Sequence, residues 1–278
     1  MKKEKTLFCD RGPLCYAISW KKEIAKRRIQ DWMGHETFAK NKEHSQLPNL
    51  VWSQSSGLIK RAPGVNLQSQ KNKAVNIRLA CEAINGLMIR PGEVFSFWHM
   101  VGNTTRRKGY LEGRVIQNNR LISGLGGGLC NLGNTLHLLV LHSPLTVTEF
   151  HHHSDALAPD EGERKPFGTG TSVCYNHVDY RFRNDTDQTV QLLTWCEGET
   201  LFAELRSERA FPKCYELVEE NHHFKKENGT FYRNSQIYRV TSRRDTGEPL
   251  GKELILDNHS QVMFDEALIP RELIREGE

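Results

Sequence analysis

The sequence predicts an α+β protein in which an antiparallel sheet packs against a few helices. Apolar residues recur at helical spacing in three segments, at residues 21–32, at 72–85 and directly after Cys130. Most of the remaining chain consists of short β-branched and aromatic runs separated by polar turns, which is typical of antiparallel strands.

The composition is that of a soluble globular chain that can bury a substantial core. Of the 278 residues, 37% are hydrophobic and 26% are charged, and the formal charge of +4 is too small to indicate a nucleic-acid partner. The N-terminus lacks the apolar stretch of a secretory signal, and no run of about eighteen apolar residues occurs. We therefore expect a cytoplasmic protein with no transmembrane segment.

The seven cysteines are scattered, and none forms a Cys-x-x-Cys pair. An odd number of dispersed cysteines favours reduced thiols over a disulfide framework. We expect no structural zinc site and no cofactor.

The first helical pattern, at residues 21–32, ends near Gly34 and carries a basic cluster. Such a cluster is typical of a solvated helix face, and the alternative is contact with an acidic surface. The second pattern, at 72–85, is capped by Gly86. The basic residues of the first helix are Lys21, Lys22, Lys26, Arg27 and Arg28.

Strand patterns occur on both sides of the predicted Cys130 helix. Residues 113–122 predict a hairpin that turns at Asn118 and Asn119, 155–170 predict an exposed loop, and 214–264 predict a small β appendage. The other predicted strands are residues 51–59, 94–98, 145–150, 172–182, 189–195 and 201–206.

Residues 124–131, Gly-Leu-Gly-Gly-Gly-Leu-Cys-Asn, are followed at once by a helical pattern that Pro144 ends. Consecutive glycines cost backbone entropy, so they indicate close backbone approach or positive φ. The spacing puts Cys130 in the first turn of the helix, where free amides and the helix dipole lower the pKa of a thiol. The alternatives are a tight connection, a phosphate cradle or a cysteine that only packs.

Three histidines, residues 151–153, follow the strand predicted at 145–150. Because that strand returns antiparallel to the helix, we expect its end to lie beside Cys130, where an imidazole can act as base for a thiolate. Alternation places His151 and His153 on one face. The histidines can instead bind zinc with Cys130, or form a solvent-facing strand end. The candidates for orienting the imidazole are Asp155, Asp160, Asp179 and His177.

Six short motifs follow one another in the middle of the chain. They are residues 85–87 (Asn-Gly-Leu), 91–97 (Pro-Gly-Glu-Val-Phe-Ser-Phe), 109–110 (Gly-Tyr), 126–130 (Gly-Gly-Gly-Leu-Cys), 153–154 (His-Ser) and 178–186 (Val-Asp-Tyr-Arg-Phe-Arg-Asn-Asp-Thr). In this order the motifs resemble the VanW family, over about half of the chain. Asn131 stands where the family usually has Gln, and Gly170 stands where it usually has Asp.

The resemblance implies a protein associated with glycopeptide resistance and the cell wall, with a cell-wall peptide or precursor as partner. A helix that begins at a cysteine and is followed by a histidine strand is also similar in outline to papain-like and transglutaminase-like folds. Three parts are expected: an N-terminal helical and loop extension (1–69), a VanW-like core domain (70–207) and a β-rich C-terminal extension packed on the core (208–278).

The leading hypothesis from the sequence is a Cys-dependent amide hydrolase or acyl transferase. In this hypothesis Cys130 is the nucleophile, His153 is the base and Asp179 orients the base. The alternatives are a non-catalytic accessory or ligand-binding protein with a Gly-rich pocket, and a metal-dependent hydrolase that uses residues 151–153. The residues expected at the substrate or oxyanion site are Gly126, Gly127, Gly128, Asn131 and His151.

Overall fold

A computed structural model of the chain describes residues 8–61, 66–117, 120–152, 155–156, 170–175 and 178–275. The described residues form the helices α1 (Pro13–Met33), α2 (Leu67–Ile84), α3 (Phe97–Val101) and α4 (Cys130–Leu141). The strands are β1 (Asn49–Gly57), β2 (Leu87–Ile89), β3 (Val94–Ser96), β4 (Glu112–Gln117), β5 (Arg120–Leu125), β6 (Thr146–Glu149), β7 (Asp155–Ala156), β8 (Arg181–Arg183), β9 (Val190–Glu197), β10 (Thr200–Ser207), β11 (Lys213–Glu227), β12 (Thr230–Arg243), β13 (Pro249–Val262) and β14 (Ile274–Arg275).

The predicted α+β class, with antiparallel sheets and few helices, is confirmed. The prediction of one sheet is wrong, because the described strands fall into four sheets. No helix formed by the described residues is long and apolar enough to cross a membrane.

The four-stranded sheet carries the main core. Its order is β1-β10-β9-β2, and every neighbouring pair is antiparallel. Leu192 of β9 faces Leu205 of β10 in register, and both are buried. Helix α2 packs on β9 with Ile77 and Ile84 fully buried, so its apolar face is the face that covers a sheet.

Helix α4 is buried along most of its length. Leu132, Leu136 and Leu139 belong to the main core, at the helical spacing that the sequence shows. Near its C-terminal end, Leu138 and Leu141 pack instead against Ile237 of β12. The helix therefore joins the main core to the C-terminal strands.

Two smaller sheets complete the region before β11. The predicted hairpin at residues 113–122 is confirmed as β4 and β5, although its turn at 118–119 lies outside the described residues. The order of the other sheet is β3-β8-β6, with antiparallel pairs. The hairpin matters for the site because Leu125, its last residue, leads directly into Gly126.

The C-terminal sheet has the order β14-β11-β12-β13-β7. The long strands β11, β12 and β13 are antiparallel, whereas the short edge strands β7 and β14 pair in parallel with their neighbours. Strand β7 comes shortly after the histidine run, and its Ala156 lies opposite Val262 of β13.

Helix α1 begins earlier than the pattern at residues 21–32 predicts. It starts at Pro13, which has no N–H to lose in the first turn, and Gly12 precedes it at φ 151°. It ends at Met33, in agreement with the stop predicted near Gly34.

The strand predicted at residues 94–98 ends early, because Phe97 begins α3. The Ser96 side chain accepts a hydrogen bond from the His99 N–H at 3.1 Å, and Asp179 accepts one from the Trp98 N–H at 3.1 Å. Both contacts satisfy free donors of the first helical turn.

The strand predicted at residues 172–182 is wrong over most of its length, since β8 contains only its last two residues and Arg183. Cys174 and Val178 form an isolated bridge, with reciprocal backbone hydrogen bonds of 2.8 and 3.1 Å, that turns the chain back on itself.

Candidate functional site

The glycine turn, residues 126–128, connects β5 to α4 through close backbone contacts. Gly126 and Gly128 have φ values of 75° and 94°, which favour glycine. A Cβ on Gly127 would overlap the backbone of Gly113, and one on Gly128 would overlap Cγ of Lys73. Close approach and positive φ both occur, so the prediction made from the glycine run is confirmed.

Asn76 of α2 binds the backbone on both sides of this contact. Its Nδ2 donates to the carbonyl oxygens of Gly127 (2.9 Å) and Leu111 (3.0 Å), and its Oδ1 accepts from the Leu111 N–H (2.8 Å). The residue is fully buried. The sequence analysis did not include Asn76 among the candidate residues. A polar residue between Val75 and Ile77, on the buried side of a predicted helix, could have indicated it.

Cys130 is the first residue of α4, and it is half-buried. Its thiol donates to the Val173 carbonyl oxygen across 3.9 Å. Burial raises the pKa of the Cys130 thiol, and the opposing backbone hydrogen bonds do not cancel this effect. The lowered pKa expected from the helix dipole is therefore wrong, and the thiol is protonated at neutral pH.

Asn131, the next residue, ties the start of α4 to the end of β1. Its Oδ1 accepts from the Ser56 hydroxyl at 2.7 Å, and its Nδ2 donates to the Gly57 carbonyl oxygen at 3.1 Å. Its amide is thus engaged within the protein, where the family usually has Gln.

The segment at residues 170–175 lies between α4 and the histidine run. Thr171 donates its hydroxyl proton to Oδ1 of Asn134 at 3.0 Å, and the Ser172 N–H donates to the His151 carbonyl oxygen at 2.8 Å. The next residue, Val173, contacts Cys130. The segment at residues 170–175 therefore separates the thiol from the backbone of the histidine run.

The imidazoles of His151 and His152 lie beside Glu149 and Gly170. Nε2 of His151, which is exposed, lies 2.9 Å from Oε1 of Glu149. The His152 ring occupies the space in which a Cβ on Gly170 would lie, 2.7 Å from that atom. His153, the predicted base, lies outside the described residues, as do Asp160 and His177.

Asp179 is buried and accepts four hydrogen bonds. A carboxylate has about four acceptor positions, so these donors fill it, and no described imidazole is among them. The donors are the Ser96 hydroxyl (2.6 Å), the N–H groups of Trp98 (3.1 Å) and Tyr180 (2.9 Å), and Nε of Arg181 (2.7 Å).

An ion-pair network joins this region to α1. Arg27 binds Glu149, and Arg181 binds Asp31 as well as Asp179. Burial tends to raise the pKa of Glu149, but hydrogen bonds from Arg27 and His151 outweigh it and leave the pKa lowered. Asp179 and Glu149 are therefore parts of the structure that holds α1 in place.

His137 of α4 is a buried imidazole that the sequence analysis did not single out. Its Nδ1 lies 3.3 Å from the Tyr180 hydroxyl oxygen, and its ring stacks on Phe150 with centroids 4.1 Å apart. Burial, with a smaller contribution from the charge of His152, lowers its pKa to about 3. This imidazole is neutral at physiological pH.

Lys73 of α2 lies at the glycine turn. Burial lowers its pKa to about 8, with further lowering by the charges of Lys60 and Arg114. Within the described part of the chain, its ammonium has no hydrogen-bond or ion-pair partner. The glycine turn therefore lies beside a lysine whose positive charge is not neutralised by any described acidic residue.

Among the described residues, no three His, Cys, Asp or Glu side chains are placed to hold a metal ion. Of the zinc alternative at residues 151–153, His153 lies outside the described residues.

The protein is thus an α+β protein in which a glycine turn leads to a cysteine at the start of a buried helix. The sequence pattern of the family described as "VanW like protein" matches residues 72–206. The chain belongs to the VanW family.

Two relatives cover different shares of the chain. The "Vancomycin B-type resistance protein VanW" of Enterococcus faecalis is 28% identical over 218 residues, which are 78% of this chain and 79% of that protein. The "Uncharacterized protein YoaR" of Bacillus subtilis is 30% identical over 139 residues, which are 50% of this chain and 44% of that protein. No solved structure matches the chain.

Proposed function

We propose that this VanW-family protein acts in glycopeptide resistance by binding the terminal carboxylate of a cell-wall peptide or precursor at the glycine turn. The observation that carries the proposal is Lys73, whose stem lies against Gly128 and whose ammonium has no acidic partner among the described residues. The cell-wall ligand is taken from the relationship to a protein named for vancomycin resistance.

Backbone donors at the same place support an anionic ligand. Within the described residues, the N–H groups of Gly128 and Leu129 donate no backbone hydrogen bond. They stand at the start of α4, where the helix dipole is positive. Backbone N–H groups at a helix N-terminus, combined with a lysine, are a common arrangement for binding carboxylate and phosphate groups.

Two further cations, Lys60 and Arg114, add to the positive electrostatic potential around Lys73. Arg114 follows Gly113, which packs on Gly127, and Lys60 follows shortly after Gly57, which binds α4 through Asn131. Their charges repel that of Lys73, which is why they lower its pKa. A bound carboxylate removes this repulsion, so binding raises the pKa of Lys73.

The test is a calorimetric titration with a soluble cell-wall peptide that ends in a free carboxylate, repeated with the same peptide amidated at that end. Lys73→Met keeps the stem against Gly128 and removes the charge, and Lys71→Met on the exposed side of α2 is the matched control. We expect the amidated peptide and Lys73→Met each to weaken binding by about tenfold to a hundredfold, the equivalent of one charge-assisted hydrogen bond. Lys71→Met is expected to bind like the wild type.

Three results would contradict the proposal. They are absence of binding to the wild type, equal binding of the acid and the amide, and unchanged binding in Lys73→Met. Inorganic phosphate is titrated separately, and binding of phosphate without binding of the peptide would show a phosphate site instead.

We propose a second candidate, peptide hydrolysis at Cys130. Cys130 directly follows Gly128 and Leu129, whose N–H groups donate no backbone hydrogen bond within the described residues. In this candidate a substrate carbonyl accepts from these amides beside Sγ, and residues 126–128, Asn131 and His151 are the further substrate-site residues of the sequence hypothesis. His153 takes the thiol proton as the S–C bond forms, the amine leaves with that proton, and water then hydrolyses the thioester. This is the papain-like outline of the sequence hypothesis, and Asp179 can orient His153 only if it releases one of its four donors.

Cys130→Ala, compared with Cys174→Ala, separates this candidate from binding alone. Hydrolysis of the peptide by the wild type and by Cys174→Ala, lost in Cys130→Ala while Lys73-dependent binding persists, supports a nucleophilic thiol. No hydrolysis at saturating peptide, or hydrolysis that survives in Cys130→Ala, rejects it and leaves the binding function standing.

A further inference from the structure

Exposed apolar residues recur along one side of α1, before and after the turn that carries Lys21 and Lys22. Leu14 and Trp32 are 74% and 79% exposed, and Ile18 and Ile29 are at least half exposed. Single exposed apolar residues are ordinary, but apolar residues that recur on one side of a helix over about 30 Å are typical of an interaction surface. The residues of this apolar stripe, which share one side at helical spacing, are Leu14, Ile18, Ala25, Ile29 and Trp32.

The opposite side of α1 is fixed to the rest of the protein by polar contacts. Nε1 of Trp20 donates to the Tyr175 carbonyl oxygen at 3.1 Å, Arg27 pairs with Glu149, and Asp31 pairs with Arg181. Rotating the helix to bury the stripe would break these ion pairs. The apolar side therefore faces outward because the polar side is held.

Cations border the apolar stripe on both sides. By helical geometry Lys21 and Arg28 lie along one border, and Lys22 and Lys26 lie along the other. Within the described residues, Lys21, Lys22 and Arg28 have no acidic partner, and Lys26 has only the exposed Glu23 at 3.9 Å. An apolar stripe between two cationic borders matches a lipid surface with negative headgroups.

We propose that α1 docks this protein on the surface of an anionic lipid membrane, lying in the plane of the interface with the apolar stripe inserted among the acyl chains. Trp32 enters the headgroup boundary, and the four cations contact anionic headgroups. A second copy of the chain is a poorer occupant, since two stripes packed together would bring like-charged borders against each other.

The test is flotation of the full chain with vesicles of one part phosphatidylglycerol to two parts phosphatidylcholine, compared with vesicles of phosphatidylcholine alone. We expect binding to the anionic vesicles that is at least tenfold stronger and that weakens with added salt. Lipid brominated on its acyl chains should quench part of the tryptophan fluorescence, and that part should be missing in Trp32→Phe.

Two sets of variants separate the stripe and its borders from general surface effects. Ile29→Ser with Trp32→Ser should reduce anionic vesicle binding at least tenfold, whereas Leu250→Ser with Leu254→Ser, which removes similarly exposed apolar residues of β13, should not. Lys21→Glu with Lys22→Glu should also weaken binding, with Lys40→Glu as the exposed control. Circular dichroism and the unfolding midpoint establish that each variant is folded.

Failure of the wild type to float with anionic vesicles overturns the proposal, as does binding that the stripe variants leave unchanged. Sedimentation velocity supplies the competing outcome. Self-association that is lost in Ile29→Ser with Trp32→Ser, without vesicle binding, would assign the stripe to a second copy of the chain.

Discussion

Arg181 of β8 and Asp31 of α1 form a two-point ion pair, in which Nη1 and Nη2 lie 2.8 and 2.9 Å from the two carboxylate oxygens. The same guanidinium binds the buried Asp179 through Nε. One side chain therefore compensates a carboxylate of the core and also sets the orientation of a helix that is distant in sequence.

We predict that Arg181→Met destabilises the fold by about 3–5 kcal/mol, because it removes the cation that is hydrogen-bonded to the buried Asp179 and leaves only Arg27, whose Nη2 lies 3.7 Å from Oδ2. Urea unfolding measures the change. Arg183→Met on the same strand removes only an exposed pair with Asp185 and should cost about 1 kcal/mol or less. Equal losses in the two variants would show that the buried pair has no special role.

We predict that Gly128→Ala is more destabilising than a positive φ alone explains. Gly229 has a similar φ of 84° with no atom within 4 Å of the added Cβ, so Gly229→Ala measures the conformational cost, about 1–2 kcal/mol. Gly128→Ala should add about 1–3 kcal/mol, because its Cβ overlaps Lys73. Lys73→Ala made in the same chain should recover part of that excess, and additive effects of the two substitutions would contradict the contact.

We predict that stability falls on acidification through the range in which an ordinary histidine titrates. The pKa of His137 is about 3 in the folded protein and about 6.5 when the residue is exposed by unfolding. Only the unfolded chain binds this proton between those values, so the stabilisation is complete above pH 6.5 and declines below it by up to about 1.4 kcal/mol per pH unit. The free energy of unfolding should therefore depend less on pH between 6.5 and 5 in His137→Gln than in the wild type, with His44→Gln as the exposed control.

We predict slow alkylation of Cys130 by iodoacetamide at neutral pH, since burial raises the thiol pKa and the thiolate is the reactive form. Mass spectrometry of the labelled peptide measures the rate as pH varies. Labelling in the folded protein should be slower than in the urea-unfolded chain at pH 8. Faster labelling in the folded state would restore the activated thiolate of the sequence hypothesis.

Local patterns predicted local structure well. The alternating apolar residues and the turn residues predicted the hairpin at residues 113–122 and the strands near β9 and β10. The glycine run predicted a turn in which side chains do not fit. The length of helix α1 was underestimated because its first two turns, residues 13–20, carry apolar residues on both the exposed and the partly buried side and so show no amphipathic pattern. A sequence pattern cannot state which side of such a helix is held.

Long-range contacts account for the errors at the site. The pKa of Cys130 depends on how deeply Val173 and its neighbours cover the sulfur, which the sequence does not reveal. Phe97 leaves the predicted strand because Asp179, far along the chain, accepts from the N–H of Trp98. In the sequence Lys73 is like any lysine on a helix surface, and only the fold shows that the glycine turn lies against its side chain.

The pairing of Ala156 with Val262 ties a point of the chain shortly after the histidine run to the C-terminal sheet. Ala156 also packs with Phe224 and Ile269, and its carbonyl oxygen accepts from the Met263 N–H at 2.9 Å. A truncated chain ending at Ser207 would retain the matched family region and lose the described partners of this anchor, which are Phe224, Val262, Met263 and Ile269. A fragment trimmed to the family pattern would therefore leave an apolar strand residue without the sheet that buries it.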